Sequence, residues 1–347
     1  MNTMSDRGAV LVTGGAGYIG GHAAKALAAS GRDLVVYDNL SAGHEDVVRR
    51  IQAAYPATRV TFVRGDVRER ATLVAAMREH RVSDVMHFAA RLSVAESVTD
   101  PAGYYDANVR GSLSLIEAMA EAGVRRLVFS STAATFGEPI TTPIDESHPQ
   151  RPINAYGETK LAVERALPHF ARAVGLQWVA LRYFNAAGAD PDGLLGEDHR
   201  PEEHLVPRAI AAVLGGPPLV IFGDDYPTPD GTCVRDFVHV ADLADAHMLA
   251  LVHLERGGAS AAYNLGNGHG ISVRELVAAI GRVTGVVVPV TSGPRRDGDP
   301  SALVASSARA MRELGWAPKL GHVDAIVETA WRWHRSHPDG YRGGCQT

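Results

Sequence analysis

Short apolar runs rich in valine and leucine alternate, through the first half of the chain, with segments whose apolar residues return every three or four positions. The runs read as strands buried on both faces and the segments between them as crossover helices, which together describe a parallel sheet. Residues 10–12, 34–37, 60–63, 85–88, 127–129 and 178–181 supply about six parallel strands. Helices are expected over 18–30, 103–122 and 156–173; in the second of these Tyr104, Val109, Leu113, Ile116 and Met119 keep helical spacing.

Past Phe184 the rhythm breaks. Gly188, Pro191, Gly193, Pro217, Pro218, Pro227, Pro229 and Gly231 punctuate 185–234, so this stretch is read as loops, where binding residues concentrate on a rigid scaffold. Regular structure is expected again at 237–240, in a helix over 241–254, and at 263–265. A last helix over 322–335 carries Val323, Ile326, Val327, Ala330 and Trp331 on one side. The fold class is therefore α/β: a Rossmann-like doubly wound parallel sheet with a smaller, partly interleaved α/β substrate domain. Residues 1–183, with a return segment about 236–267, form the nucleotide-binding domain; 184–235 and 268–347 form the substrate-binding one.

Composition narrows the partners. With 46% hydrophobic and 21% charged residues over 347 positions, the chain can bury a large core and disorder is not expected. A net charge of -5 offers no field for a polyanion, so no nucleic-acid partner is expected and an anionic ligand has to be met by individually placed arginines. Cys233 and Cys345 provide neither a disulfide framework nor a metal set. The fifteen histidines are scattered, most read as surface or packing residues, and no metal is expected. The polar start through Gly8 and the lack of any eighteen-residue apolar run lead to the expectation of a cytoplasmic protein without membrane contact.

Candidate chemistry begins at Thr13-Gly-Gly-Ala-Gly-Tyr-Ile-Gly20, which follows the first strand and opens the first helix. Gly14, Gly17 and Gly20 let the backbone turn tightly and approach a pyrophosphate, whose charge is met by free N–H groups at the helix start. Asp38 ends the second strand, eighteen residues after Gly20, where a carboxylate accepts hydrogen bonds from both ribose hydroxyls and repels a 2'-phosphate; the cofactor is read as NAD. Tyr156 and Lys160 stand four apart, on one face of a helix. Keeping a phenol ionised at pH 7 costs roughly 4 kcal/mol, at about 1.36 kcal/mol for each of some three pKa units. A neighbouring ammonium and the positive charge of an oxidised nicotinamide can supply stabilisation of that size away from water.

These motifs are joined by Asp38-Asn39-Leu40, Gly65-Asp66-Val67, Phe88-Ala89-Ala90, Glu96-Ser97-Val98, Tyr104-Tyr-Asp-Ala-Asn-Val109 and Ser130-Ser131-Thr132. Further along come Leu181-Arg-Tyr-Phe-Asn185, the run from Ile221 to Asp236, Tyr263-Asn-Leu-Gly266 and Arg295-Arg-Asp-Gly-Asp299. On them the chain resembles the extended short-chain dehydrogenase/reductases and, within that superfamily, is similar to the UDP-glucose (UDP-galactose) 4-epimerases over nearly its whole length. The resemblance implies that Tyr156 removes the proton of the sugar 4-hydroxyl while hydride passes from C4 to the nicotinamide. Lys160 would lower the tyrosine pKa and bond the nicotinamide ribose, and Thr132, where many relatives carry Ser, would bond the 4-oxygen and relay the proton. Gly14, Gly17, Tyr18, Ile19, Gly20, Asp38, Asn39, Asp66, Val67, Phe88, Ala89, Ala90, Asn108 and Phe184 would line the cofactor.

For a UDP-sugar substrate, the resemblance implies Arg235 and Arg296 at the diphosphate, Asn185 at a phosphate, Asp299 at the uridine ribose and the backbone of Val220 to Phe222 at the uracil. His204 and Leu205 stand where relatives have Asn before a nucleotide-contacting Leu. Leu303 replaces a bulky Tyr that limits the pocket beside sugar C2 in some members, so turnover of UDP-N-acetylhexosamines is expected. Arg91-Leu92 follow Phe88-Ala-Ala where some relatives carry a nearby lysine. A homodimer through the helices near 103–122 and 156–173 is implied. The sister dehydratases place Asp-Glu straight after the catalytic Thr, whereas Ala133-Ala134 follow Thr132 here, which argues against elimination. A non-catalytic, nucleotide-bound regulator is the third reading; such proteins can lose the Tyr or Lys that this chain keeps.

Overall fold

The computed structural model describes residues 8–296 and 300–342, so Asp299 and Cys345 lie outside the described residues. The chain divides into two compact units: 8–135, 154–182 and 244–263 in the first, 136–153, 183–243, 264–296 and 300–342 in the second.

The first unit is built on strands β1 (Ala9–Thr13), β2 (Leu34–Asp38), β3 (Val60–Arg64), β4 (Val82–His87), β5 (Arg126–Thr132) and β6 (Gln177–Tyr183). Ala261–Leu265 adds a seventh strand at the β6 edge, and the order runs 261–265, β6, β5, β4, β1, β2, β3. The registered pairs β2–β3, β1–β2, β1–β4 and β4–β5 are all parallel. Order reverses between β1 and β4, the switch point where such sheets open a crevice beyond their carboxyl ends. The flanking helices are α1 (Tyr18–Ala29), α2 (Glu45–Ala54), α3 (Arg70–Glu79), α4 (Val94–Thr99), α5 (Pro101–Tyr104), α6 (Gly111–Ala122) and α7 (Ala155–Val174). Leu11, Val35, Leu73, Met77, Leu115, Met119 and Phe129 belong to one buried cluster, which joins strand faces to α3 and α6.

The single helix expected over 103–122 is interrupted. Between α5 and α6 the chain makes a π-helical turn, Tyr105–Arg110. The wider turn swings Asn108 inward, where its amide exchanges hydrogen bonds with the Arg91 backbone, and Ser112 Oγ donates to Asn108 O at 2.5 Å.

In the second unit the stretch read as loops holds real structure: strand Asn185–Ala187, helix Leu205–Val213, strand Leu219–Phe222 and the two-residue strand Val234–Arg235. Their partners are remote in sequence. Asn185–Ala187 pairs in parallel with Phe237–His239, Leu219–Phe222 with Val290–Gly293, and Val234–Arg235 sits between Ile271–Ser272 and Ala302–Leu303. Helix Val273–Thr284 starts in a capping box between Ser272 and Glu275. It packs with Leu205–Val213 and Val323–Ser336 around Ile210, Leu276, Ile280, Ile326 and Val327. On the last helix Trp333 is fully buried, whereas Trp331 is only half-buried against the cluster.

The boundaries differ from the sequence reading at 136–153, at Tyr183 and at both ends of the return segment, 236–243 and 264–267. Residues 136–153 belong to the second unit because Ile144 bridges Ala305, its N–H donating to Val304 O and its carbonyl accepting from Ser306 N, both at 2.8 Å. Residues 236–243 join it too, since the Asp236 carboxylate gathers the backbone N–H groups of Asn267, Gly268 and Ala305 at 2.7–3.0 Å. Among the described residues no helix is long and apolar enough to cross a membrane.

Candidate active site

The glycine loop fills the turn between β1 and α1 with almost no spare room. Gly14 adopts φ +71, and a Cβ there would stand 2.6 Å from Ala89 N at the end of β4. A Cβ on Gly20 would stand 2.2 Å from Gly14 O, so helix and loop touch backbone to backbone. Gly17 differs: its Cβ would meet only Gly14 O, at 3.3 Å, in front of a helix start that has no side-chain cap. That uncapped first turn, carrying Tyr18, Ile19 and Gly20, is a cradle for a pyrophosphate which any side chain at 17 would fill, and it fits the dinucleotide expected there.

Asp38 closes the next wall. Its Oδ2 accepts from Ala16 N at 3.1 Å and its Oδ1 from Leu40 N at 2.8 Å. Burial pushes this carboxyl up, and the two backbone N–H groups oppose the shift. Each oxygen keeps a lone pair for a ribose hydroxyl. Asn39 Nδ2 donates to Asp66 Oδ2 at 2.9 Å, while the Arg68 guanidinium holds the Asp66 carboxyl far below the usual range. Val67 is buried, and Phe88 and Ala89 both donate their N–H to Thr13 O, at 2.9 and 3.1 Å. The Phe88 ring lies 4.6 Å from that of His247, and Ala90 follows on the surface side, half-buried.

Tyr156 and Lys160 occupy the first turns of α7, which Asn154 caps by accepting from Gly157 N at 2.9 Å. Lys160 is 3% exposed, donates from Nζ to Ser130 O at 3.0 Å and lies 5.1 Å over the Phe129 ring. Burial pulls its ammonium down to about 8, against the Glu164 carboxylate one turn later. Glu164 is itself neutralised: Arg182 grips both its oxygens at 2.6–3.1 Å and Ser131 Oγ donates to it. Desolvation raises the Tyr156 phenol above its ordinary value, and the hydrogen bond it shares with Thr132 works the other way. Thr132 Oγ1 also accepts from Ala134 N at 3.1 Å. Burial therefore favours the phenol form of Tyr156, with the Thr132 hydrogen bond opposing it.

A buried polar chain that sequence reasoning missed braces these groups. The Thr13 hydroxyl meets His87 Nδ1 at 2.7 Å and His87 Nε2 meets Ser112 Oγ at 2.9 Å. Because Ser112 donates onward to Asn108 O, its oxygen must accept from His87 Nε2–H, leaving Nδ1 to accept from Thr13. Burial, helped by the Lys160 charge, keeps His87 neutral by lowering it to about 3. Asn108 Nδ2 then donates to Thr159 Oγ1 at 3.0 Å and Thr159 to Tyr156 O at 2.8 Å, which closes the circuit on α7. Glu164 had a signal in the sequence, being four residues after Lys160; His87, Ser112 and Thr159 had none beyond their place beside the motifs. Arg91, the departure noted after Phe88, is held by Glu96 and Asp100 at 2.5 and 2.6 Å and faces the Tyr104 ring.

The second unit carries the expected nucleotide-binding residues. Arg235 is 9% exposed and donates to Val234 O at 2.8 Å, and Leu303 is its register partner on the neighbouring strand. Val220 and Phe222 lie on strand Leu219–Phe222, and the Arg296 guanidinium stacks 3.9 Å over the Phe222 ring. Asn185 N donates to Asp236 O at 3.0 Å, and Phe184 N to Leu265 O at 3.3 Å. Leu205 starts its helix and packs on the core. His204, its N-cap, turns its ring to Glu197 at 2.5 Å.

The sequence pattern of the NAD dependent epimerase/dehydratase family matches residues 10–266. A UDP-glucose 4-epimerase of Lacticaseibacillus casei is 50% identical over 333 residues, which span 96% of this chain and 98% of that protein. Among solved structures, a UDP-glucose 4-epimerase from Brucella ovis in complex with NAD superposes with TM-score 0.89 at 50% identity, covering 94% of this chain and 98% of that one. A UDP-glucose 4-epimerase from Bifidobacterium longum in complex with NAD+ and UDP gives TM-score 0.91 at 37% identity, covering 96% of this chain and 99% of that one. With the glycine loop, the Asp38 wall and the Thr132, Tyr156 and Lys160 group all in place, the chain belongs to the NAD dependent epimerase/dehydratase family.

Proposed function

We propose that this NAD-dependent enzyme interconverts UDP-galactose and UDP-glucose by inverting C4 of the hexose. The observation that carries the reading is the Thr132–Tyr156 hydrogen bond, with buried Lys160 one turn along α7 and a dinucleotide cradle in the same unit. Bound NAD supplies a reversible acceptor for the C4 hydrogen, so the sugar passes through a 4-keto form with no net redox change. Tyr156 takes the proton of the 4-hydroxyl as it leaves and returns it when the carbonyl is reduced. Thr132 holds the 4-oxygen and relays that proton. Lys160 keeps a positive charge beside the phenolate, which removes part of the cost that desolvation imposes on it. Residues 14–20, Asp38, Asn39, Asp66, Val67, Phe88, Ala89, Ala90, Asn108 and Phe184 hold the dinucleotide.

Inversion at one carbon requires the ketone to present its opposite face while the nucleotide stays fixed. Arg235, Arg296 and Asn185 hold the diphosphate, His204 and Leu205 flank it, the 220–222 backbone meets the uracil, and Asp299, outside the described residues, meets the ribose. Ala133 and Ala134 form the turn after Thr132, where elimination chemistry would need an acid. The enzyme works in the cytoplasm as a homodimer joined through 103–122 and α7; light scattering at the monomer mass would remove the dimer. Mixing the protein with UDP-galactose tests the function: UDP-glucose forms, and Tyr156→Phe loses nearly all turnover while still binding NAD. A NAD-loaded wild type that forms no product, or a fully active Tyr156→Phe, would overturn the reading.

A further inference from the structure

The scattering expected of the histidines fails at one place. Glu197, His199, Glu202 and His204 each offer one ligand atom, and these atoms all lie within 4.8 Å of one another. His199 Nδ1 is 3.1 Å from Glu197 Oε1 and 3.7 Å from Glu202 Oε2; His204 Nδ1 is 2.5 Å from Glu197 Oε1 and 3.4 Å from Glu202 Oε1. An ion with bonds of about 2.0–2.2 Å spaces tetrahedral ligands about 3.3–3.6 Å apart. Three of these four distances lie within a few tenths of an ångström of that spacing, the two to Glu202 being to its different oxygens, of which one binds the ion. The fourth must open, and it involves His204, the most exposed of the set, at a helix start where its ring can swing.

The frame around the cluster is fixed. Trp333 Nε1 donates to Glu197 O at 3.1 Å, the Tyr341 hydroxyl accepts from Gly196 N at 2.9 Å, and Tyr341 N donates to Asp198 Oδ2 at 3.0 Å. Glu197 is 3% exposed, so one of the two carboxylates is set deep before any ion arrives. Two imidazoles and two carboxylates are a donor set for a borderline dication such as zinc, and two negative charges balance it.

We propose that Glu197, His199, Glu202 and His204 form a closed tetrahedral site for one zinc-class divalent cation. With all four positions taken by protein, the ion is structural: it staples 197–204 to the start of helix Leu205–Val213. The same groups can instead hold one another as histidine–carboxylate pairs, and the test separates the two. The full chain is stripped with chelator, dialysed against Zn2+ or Co2+ and analysed by metal content and visible absorption. Wild type is expected to keep one Zn2+ per chain more than the His199→Ala/Glu202→Ala double variant, and Co2+ to give the intense visible bands of a tetrahedral site. Glu202→Gln, which preserves shape, is expected to weaken Zn2+ at least tenfold, with circular dichroism showing an intact fold. Equal metal content in wild type and double variant, or the weak spectrum of octahedral Co2+, would overturn the proposal and leave ion pairs only.

Discussion

Replacing Thr132 with valine removes one hydroxyl and almost no volume, so it isolates what that oxygen does. Two hydrogen bonds are lost: the one from Ala134 N at 3.1 Å and the one shared with Tyr156. Ala134 is half-buried, so water can reach its N–H, and the stability cost is about 1 kcal/mol. The catalytic cost is larger. A positioned proton-transfer group contributes about 10²–10⁴ in rate, and because Tyr156 remains, the lower end applies: a drop in kcat of about 10²-fold, or about 2.7 kcal/mol. KM for UDP-galactose should barely move, since the substrate is anchored at its nucleotide. The bond to Thr132 lowers the Tyr156 phenol, so its loss moves the rising limb of the pH–rate profile to higher pH. Thr132→Ser keeps the oxygen and should stay within about threefold of wild type, well inside the proton-transfer range. The assay is initial UDP-glucose formation across pH for the three proteins. Wild-type kcat in Thr132→Val, or equal losses in Val and Ser, would refute the proton-relay role.

His87 gives a pH signature of stability. Its folded value is about 3 against an ordinary 6.5, so its contribution is fully present above pH 6.5 and is lost as pH falls toward 3. At pH 5 wild type should have lost about 2 kcal/mol more than His87→Gln, taking 1.5 units at about 1.36 kcal/mol each; urea unfolding with the same pH dependence in both would contradict this. Leu303→Tyr should restrict the substrate: wild type is expected to interconvert UDP-N-acetylhexosamines slowly, and the variant to lose that activity at least tenfold more than its UDP-galactose activity. No N-acetyl turnover by wild type at high enzyme concentration would remove the idea.

The parallel sheet and its dinucleotide loop were legible because buried strands leave continuous apolar runs and because the glycine spacing between the first strand and helix reflects close backbone contacts there, as at Gly14 and Gly20. The second unit was not. Val234–Arg235, Ile271–Ser272 and Ala302–Leu303 are two residues long, too short for periodicity, and their pairing joins remote segments. The break at 105–110 was hidden for a related reason: a π-helical turn keeps apolar spacing on either side while rotating Asn108 inward. His87 reads as one more buried residue in an apolar strand, and only the three-dimensional chain from Thr13 to Asn108 shows that it must stay neutral. Trp331, on the apolar side read from the spacing, does pack on the core cluster but stays half-buried, whereas Trp333 is fully buried by residues remote in sequence or beyond the helix, Gly196, Glu197 and Tyr341.

In this epimerisation the C4 hydrogen leaves and returns to the same carbon without meeting water. UDP-galactose carrying deuterium at C4, converted in ordinary water and analysed by NMR at equilibrium, tests it directly. UDP-glucose and UDP-galactose are both expected to retain the label at C4. Loss of deuterium to solvent would contradict this and point to inversion by simple proton exchange.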